Sequence, residues 1–292
     1  MAKNGSGGAS VLVAAGFVLI LVVLTFSTIY FFWARTWWMP PAITPLGEEL
    51  DAQFVRTLLI TGLVFLLSQM GLAYAILRFR DRGGRAVYSH GSLMLEYLWT
   101  AATLIMFVGL GIYAERSWAA FHLEPAAAGA VQVEITGQQF AWNFRYPGQD
   151  GTWGRTRLDL ISDATGNPLG LDYDGDPAAK DDILSPIIAV PVNRQVEVLL
   201  RTKDVTHSFF VRELRFKQDT VPGLTIRLHF TATQTGTYEV ACAELCGLGH
   251  HRMRTELVVV PEAEYHQITA SQEAFDNWLN QRRAAAAAAG AP

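Results

Sequence analysis

The chain has 292 residues, of which 50% are hydrophobic and only 17% charged, with a net charge of −4. About 25% charge is usual for a soluble domain, so part of this chain does not face water. The apolar content excludes disorder throughout, the negative charge argues against a nucleic-acid partner, and two cysteines exclude both a disulfide-rich scaffold and a four-cysteine zinc ribbon.

Residues 11–33, 57–77 and 97–114 carry no charge. About 20 apolar residues in a helix cross a hydrocarbon core of about 30 Å, because a helix satisfies its own backbone hydrogen bonds there. Each run therefore predicts a transmembrane helix. The first run is too long for an ordinary signal-peptide core and no small-x-small cleavage pattern follows it, so a retained helix is expected. Tyr30, Phe31, Phe32, Trp33, Trp37 and Trp38 suit an interfacial aromatic belt at its end. Arg78, Arg80, Arg82 and Arg85 gather between the second and third runs, which places that loop in the cytoplasm and everything after about residue 114 outside. Glu96 then sits at the cytoplasmic end of the third span, where an ionisable group is a functional candidate.

The period changes to two after about residue 130. Val131, Val133 and Ile135 alternate with polar residues, and so do Val196, Val198 and Leu200, and then Ile226, Leu228 and Phe230. Stretches around Tyr238–Cys242 and Thr255–Val260 follow, separated by turns such as Pro222-Gly223. This pattern predicts an antiparallel sandwich or barrel. Between the first strands lies an acidic stretch with Asp159, Asp163, Asp172, Asp174, Asp176, Asp181 and Asp182 against Lys180. It reads either as a solvated loop or as an acidic surface that steers a cationic partner. Near the end, Ser271 is the expected cap of a short amphipathic helix reaching about residue 279, followed by a frayed, Ala-rich tail.

Both cysteines fall in Cys242-Ala-Glu244-Leu-Cys246-Gly-Leu-Gly-His250-His251-Arg-Met253. Two thiols, an imidazole and a thioether form a soft-ligand cluster that suits copper rather than Mg²⁺ or Ca²⁺. His207, in Asp204-Val-Thr-His207-Ser, is the best distant ligand. A mononuclear blue-copper site needs one Cys, so a second thiolate points to two bridged copper ions acting as an electron relay. A Cys242–Cys246 disulfide would explain the cysteines but not the His and Met beside them. His251 reads as a surface residue or one behind the ligands; His122, His229 and His266 have no partners in sequence. No Cys-x-x-Cys-His occurs, so no c-type haem is attached.

The cysteine segment resembles the Cys-x-Glu-x-Cys-Gly-x-x-His-x-x-Met signature of subunit II of haem–copper cytochrome c oxidases. Asp204-Val-Thr-His207-Ser, Lys217-Gln-Asp219-Thr-Val-Pro222-Gly223, Gly137-Gln-Gln139-Phe140-Ala-Trp142-Asn-Phe144 and His90-Gly-Ser-Leu-Met-Leu-Glu96-Tyr-Leu-Trp99-Thr100 resemble the same family. The resemblance implies membrane helices followed by an all-β, cupredoxin-like Greek-key domain outside a bacterial inner membrane. It implies a binuclear CuA centre bridged by Cys242 and Cys246, with His207 and His250 as terminal ligands. Met253 and the Glu244 carbonyl become weak ligands, and the Glu244 carboxylate reaches Mg²⁺ or Mn²⁺ at the border with subunit I. Electrons would come from a c-type cytochrome and pass to haem in subunit I for O₂ reduction and proton pumping, with subunit III as a further partner. Gln139, Phe140, Trp142 and Asp204 would serve electron input and docking, and Glu96 the entrance to a proton-uptake channel.

The expected organisation is an additional first helix and outer loop over 1–50, a helical hairpin over 51–120, the β domain over 128–262 with an insert over 147–190, and a C-terminal helix and tail over 263–292. Three departures stand out. Phe140 replaces the family's Trp, compatible with a donor that is membrane-bound or permanently associated. Arg212 and Leu224 replace the usual Pro and Arg. A copper-free quinol oxidase subunit and a membrane-tethered copper-binding protein are the rival readings. Intact copper ligands oppose the first, and Glu96 with its paired helices opposes the second.

Overall fold

The computed structural model describes residues 6–36, 38–82, 85, 87–88 and 90–289; Trp37 of the aromatic cluster and the last three residues of the tail lie outside these. The chain divides into two compact units, residues 1–39 with 51–115, and residues 40–50 with 116–292.

The first unit contains α1 (Ser6–Trp33) and most of α2 (Pro45–Arg78) and α3 (Leu93–His122). All three helices are long and apolar enough to cross a membrane. Their apolar side chains, among them Leu12, Leu59 and Leu104, stay exposed, as a lipid or protein surround requires. With 34 residues, α2 is about 50 Å long and exceeds the hydrocarbon core of about 30 Å. Its last turn is closed by Arg80, whose Nη1 donates to the Leu77 carbonyl at 2.7 Å. At the start of α3, Ser92 Oγ accepts from the Leu95 N–H at 3.5 Å, and Glu96 occupies the first turn, where the helix dipole favours an anion.

The second unit is a β domain with the ends of two helices attached. Thr44 Oγ1 accepts from the Gly47 N–H at 2.9 Å and donates to the Leu214 carbonyl at 3.1 Å. One hydroxyl thus caps α2 and ties the preceding segment to the β domain. A Cβ at Gly47 would stand 2.7 Å from that hydroxyl oxygen, so only glycine permits the cap. At the other side, Phe121 packs edge-on against Phe216 at 5.1 Å.

Among the described residues ten strands follow: β1 (Val131–Gln138), β2 (Ala141–Tyr146), β3 (Ile183–Ser185), β4 (Ile188–Pro191), β5 (Gln195–Thr202), β6 (His207–Val211), β7 (Phe216–Thr220), β8 (Ile226–Thr231), β9 (Gly236–Cys242) and β10 (Arg254–Val260). They form two sheets in the orders β3-β2-β1-β5-β8 and β4-β10-β9-β6-β7. The alternating residues Val133, Ile135, Val196, Val198 and Leu200 are buried between them, with Phe144, Phe209 and Phe216. The Tyr146 hydroxyl, on β2, donates to the Ala189 carbonyl at 3.0 Å and accepts from its N–H at 2.8 Å, which binds one sheet to the other. The expectation of a purely antiparallel domain is corrected: β1 runs parallel to β5 and β4 parallel to β10. Long connections across the sandwich allow this, and alternation alone does not distinguish the two pairings.

Helices α4 (Glu262–Ile268) and α5 (Gln272–Ala288) end the described chain. Ser271 Oγ accepts from the Ala274 N–H at 3.1 Å, as the cap requires. The helix does not fray near residue 279 but continues through the alanines, the strongest helix formers.

The acidic stretch between β2 and β3 is not a uniformly solvated surface. Asp182 is buried, and its Oδ2 accepts from Arg145 Nε and from the Gly154 N–H, both at 3.0 Å. Arg145 stacks on Trp153 at 5.1 Å and lies 3.9 Å from Glu134, also buried. Burial pushes the Asp182 carboxyl above its ordinary value despite the guanidinium, and its Oδ1 has no partner. Asp172 is buried too and takes Arg155 Nη2 at 2.6 Å, and Asp159 pairs with Arg157 at 2.6 Å. Asp176 accepts from the Arg155 N–H at 2.6 Å and caps a short 3₁₀ turn. These carboxylates hold the insert together.

Replacing Arg145 with Met would leave Asp182 and Glu134 buried without their shared cation, and we expect a loss of about 3–5 kcal/mol in denaturant unfolding. Hydrogen bonds from Arg155 hold the Asp172 carboxyl below its usual range. That stabilisation is present above the unfolded-state value near about 4 and is lost as pH falls through the lower folded value. The insert should therefore open to acid protease in strong acid while remaining closed at neutral pH.

Candidate metal centre

The centre forms where β6 begins and β9 ends. The two strands pair with Phe209 opposite Cys242, which sets His207 and Cys242 on neighbouring strands. The chain then loops outward and returns through His250 and Met253 into β10. Backbone bonds fasten this loop: Cys242 N–H to the Met253 carbonyl and Ala243 N–H to the Ser208 carbonyl, both at 3.0 Å, and His250 N–H to the Gly247 carbonyl at 3.1 Å. Gln139 adds a side-chain bond from Nε2 to the Cys246 carbonyl at 2.6 Å.

These restraints converge the soft donors. The two sulfurs lie 3.9 Å apart and both cysteines are free. A disulfide needs about 2.05 Å, so the bridged reading of the pair does not hold. Cys246 Sγ stands 3.6 Å from His250 Nδ1 and 3.8 Å from Met253 Sδ. Cys242 Sγ stands 3.1 Å from the Glu244 carbonyl oxygen. Donor atoms of His207, Cys242 and Cys246 all fall within 4.8 Å of one another. Cys246, Met253 and His207 are buried.

His207 is oriented by Asp204. Its Nε2 lies 2.8 Å from Asp204 Oδ1. An ionised carboxylate only accepts, so Nε2 carries the proton and Nδ1 keeps its lone pair. That Nδ1 is buried with no hydrogen-bond partner. An orphaned buried acceptor is costly unless something binds it. Burial and then the neighbouring Cys242 push the Cys246 thiol up to about 11, so paired thiolates here require a cation. The donor set therefore fits a soft metal such as copper. Around Asp204, burial opposes ionisation, but the Gln139 and Val205 N–H groups and His207 outweigh it and hold the carboxyl below its usual range.

The residues expected at the docking surface separate. Phe140 is 38% exposed and its ring lies against the ligand loop: a Cβ at Gly249 would stand 2.4 Å from Phe140 Cδ2. Trp142 is 3% exposed and faces inward, 6.0 Å from the His207 ring and 5.6 Å from Phe209. It packs against the inner side of the His207 ring, away from solvent. Gln139 and Asp204 lie between, joined by the Gln139 N–H to Asp204 Oδ2 bond of 2.7 Å. Glu244, His251 and Glu96 are exposed. His122, His229 and His266 all have local partners: Trp118, Glu124 and Glu262. Sequence reading missed Gly137, where a Cβ would come within 2.8 Å of His207 Cδ2, so the imidazole packs on bare backbone. No local signal marks that glycine, because the contact exists only once β1 and β6 face each other.

Residues 131–260 match the family of the cytochrome C oxidase subunit II periplasmic domain. The chain is also 37% identical to an "alternative cytochrome c oxidase subunit 2" of Bradyrhizobium diazoefficiens, over 88% of this chain and 92% of that one. The chain belongs to the cytochrome c oxidase subunit II family. Two further members of that family are similar to it. The subunit 2 of Cereibacter sphaeroides is 28% identical over 83% of this chain and 79% of that one. The subunit 2 of Synechocystis is 30% identical over 80% of this chain and 75% of that one. As a subunit II, the molecule combines three helices fit to cross a membrane with a domain homologous to the family's periplasmic one.

Removing the Asp204 carboxylate leaves His207 free to change tautomer and turn. Replacing Asp204 with Ala should weaken copper binding by about 10–100-fold, read by competition against a chelator.

Proposed function

We infer that this chain is the electron-accepting subunit of a haem–copper cytochrome c oxidase, holding a binuclear copper centre in its periplasmic domain. Family membership supports the place in such a complex, and the orphaned Nδ1 of His207 beside two free thiols is the observation that carries the metal assignment. Cys242, Cys246, His207 and His250 would hold the two metals, with Met253 and the Glu244 carbonyl as weaker donors. When bound, the centre supplies one-electron chemistry, with the unpaired electron shared between two metals.

The protein's part is to hold still. Ligands on paired strands, a loop fastened at four backbone positions and a buried thioether resist movement when the charge of the site changes. Asp204 and Gln139 fix the imidazole and the Cys246 carbonyl from outside. In this reading a c-type cytochrome delivers electrons and a subunit I haem receives them for O₂ reduction coupled to proton pumping, with subunit III alongside. The exposed Glu244 carboxylate is available to a Mg²⁺ or Mn²⁺ shared with subunit I, and the exposed Glu96 to a proton-uptake channel there. The domain faces the periplasm of a bacterial inner membrane. A copper-free quinol oxidase subunit would have no use for this donor set.

The purified complex should contain two coppers per copy of this chain, with a purple colour and a mixed-valence copper signal, and should co-purify with a haem protein. Cys246→Ser should abolish both colour and signal while the chain still inserts in the membrane. A colourless wild-type chain without copper would refute the assignment.

A further inference from the structure

Helices α1 and α2 are fastened to each other near both ends. At one end Ser10 Oγ donates to the Asp81 carbonyl at 2.8 Å. At the other the Trp38 ring, just past α1, lies 5.9 Å from that of Phe54 on α2. Toward the Trp38 end the helices enclose a groove of about 900 Å³, and small-molecule sites span about 300–1,000 Å³. Ile29 and Phe32 of α1 and Val55, Leu59, Leu63 and Leu66 of α2 line it. Thr28 and Thr61 line it too, but each hydroxyl donates to its own helix, to the Leu24 and Thr57 carbonyls, both at 2.8 Å. The walls are therefore apolar in effect. At Gly62, on the same wall, an added Cβ would meet nothing within 4 Å.

Depth and charge identify the occupant. From Val55 to Leu66, α2 rises about 17 Å at about 1.5 Å per residue. That is close to half of a hydrocarbon core of about 30 Å, the thickness of one leaflet. A partner helix crossing the membrane would need a seat along the whole span, whereas an acyl chain needs one leaflet. The mouth of the groove carries Trp33, Arg35 and Trp38, residue types that suit a membrane interface. Arg35 Cζ lies 5.5 Å from the centre of the Trp38 ring. Among the described residues its guanidinium has that ring contact but no carboxylate or hydrogen-bond partner. Arg35 also has a φ of 50°, in the left-handed region that favours glycine. A guanidinium with open donors at headgroup depth suits a phosphate, which it binds through paired hydrogen bonds.

We propose that this groove binds a membrane phospholipid, with an acyl chain between α1 and α2 and the phosphodiester on Arg35. Trp38, set between Arg35 and Phe54, forms the edge where headgroup gives way to chain. The lipid fills the gap and fastens α1 to α2 along the leaflet where their side chains leave space. The site stands apart from the copper centre, and no bond forms or breaks on binding.

The test is native mass spectrometry of the purified complex, delipidated in detergent and titrated with phosphatidylglycerol. The wild type should take up about one lipid per copy of this chain before any other binds. Diacylglycerol with the same chains lacks the phosphate and should bind at least about 10-fold more weakly. Arg35→Gln should weaken phosphatidylglycerol by about 10-fold or more and leave diacylglycerol unchanged, and Arg35→Lys should weaken it less. Gly62→Phe should abolish both by filling the groove, whereas Gly16→Phe, at another glycine with open space around it, should not. Equal binding by the wild type, Arg35→Gln and Gly62→Phe overturns the proposal. So does a Gly62→Phe complex that loses a protein subunit, because the groove would then seat a partner helix. A purified chain whose mass lacks α1 overturns it as well.

Discussion

Two thiols held 3.9 Å apart beside an imidazole nitrogen that has no partner form a site that the protein cannot satisfy by itself. Burial, and then the neighbouring Cys242, raise the Cys246 thiol against ionisation. A bound cation reverses both effects. The surrounding structure keeps this arrangement intact. The β6–β9 pairing fixes the distance between His207 and Cys242, and the backbone bonds of the returning loop fix Cys246, His250 and Met253. Ligands mounted on strand ends, with their loop tied back to the same strands, have little freedom to follow a change in charge.

A second layer acts through groups that touch no donor sulfur. The Gln139 amide reaches the Cys246 carbonyl, its backbone N–H reaches Asp204, and Asp204 fixes the tautomer of His207. Trp142 closes the inner side of the same imidazole, and Gly137 leaves it room. One short segment, 137–142, thus governs both flanks of the centre while placing Phe140 at the surface. Trp142 faces inward from within β2, whereas Phe140 lies in the turn before the strand and so escapes the face that strand alternation would have given it.

The acidic insert shows how charge counted along a chain misleads. Seven aspartates invited an electrostatic role, yet Asp172 and Asp182 are interior residues that neutralise arginines. They stabilise the loop from within.

The sequence by itself determined the class of molecule. Uncharged runs dictate membrane helices because hydrocarbon tolerates no unpaired backbone, period-two alternation dictates a half-buried sheet, and two Cys, a His and a Met within one short segment dictate soft-metal chemistry. It also singled out His207, which the fold brings to the two cysteines, and Ser271, which caps α5, since both carry local signals. Tertiary structure alone decided the parallel pairing of β1 with β5, the internal role of Asp182, the need for Gly137 and the division between Phe140 and Trp142. Each depends on which strands become neighbours. Periodicity gives the face a residue occupies but is silent about what the opposite face presents.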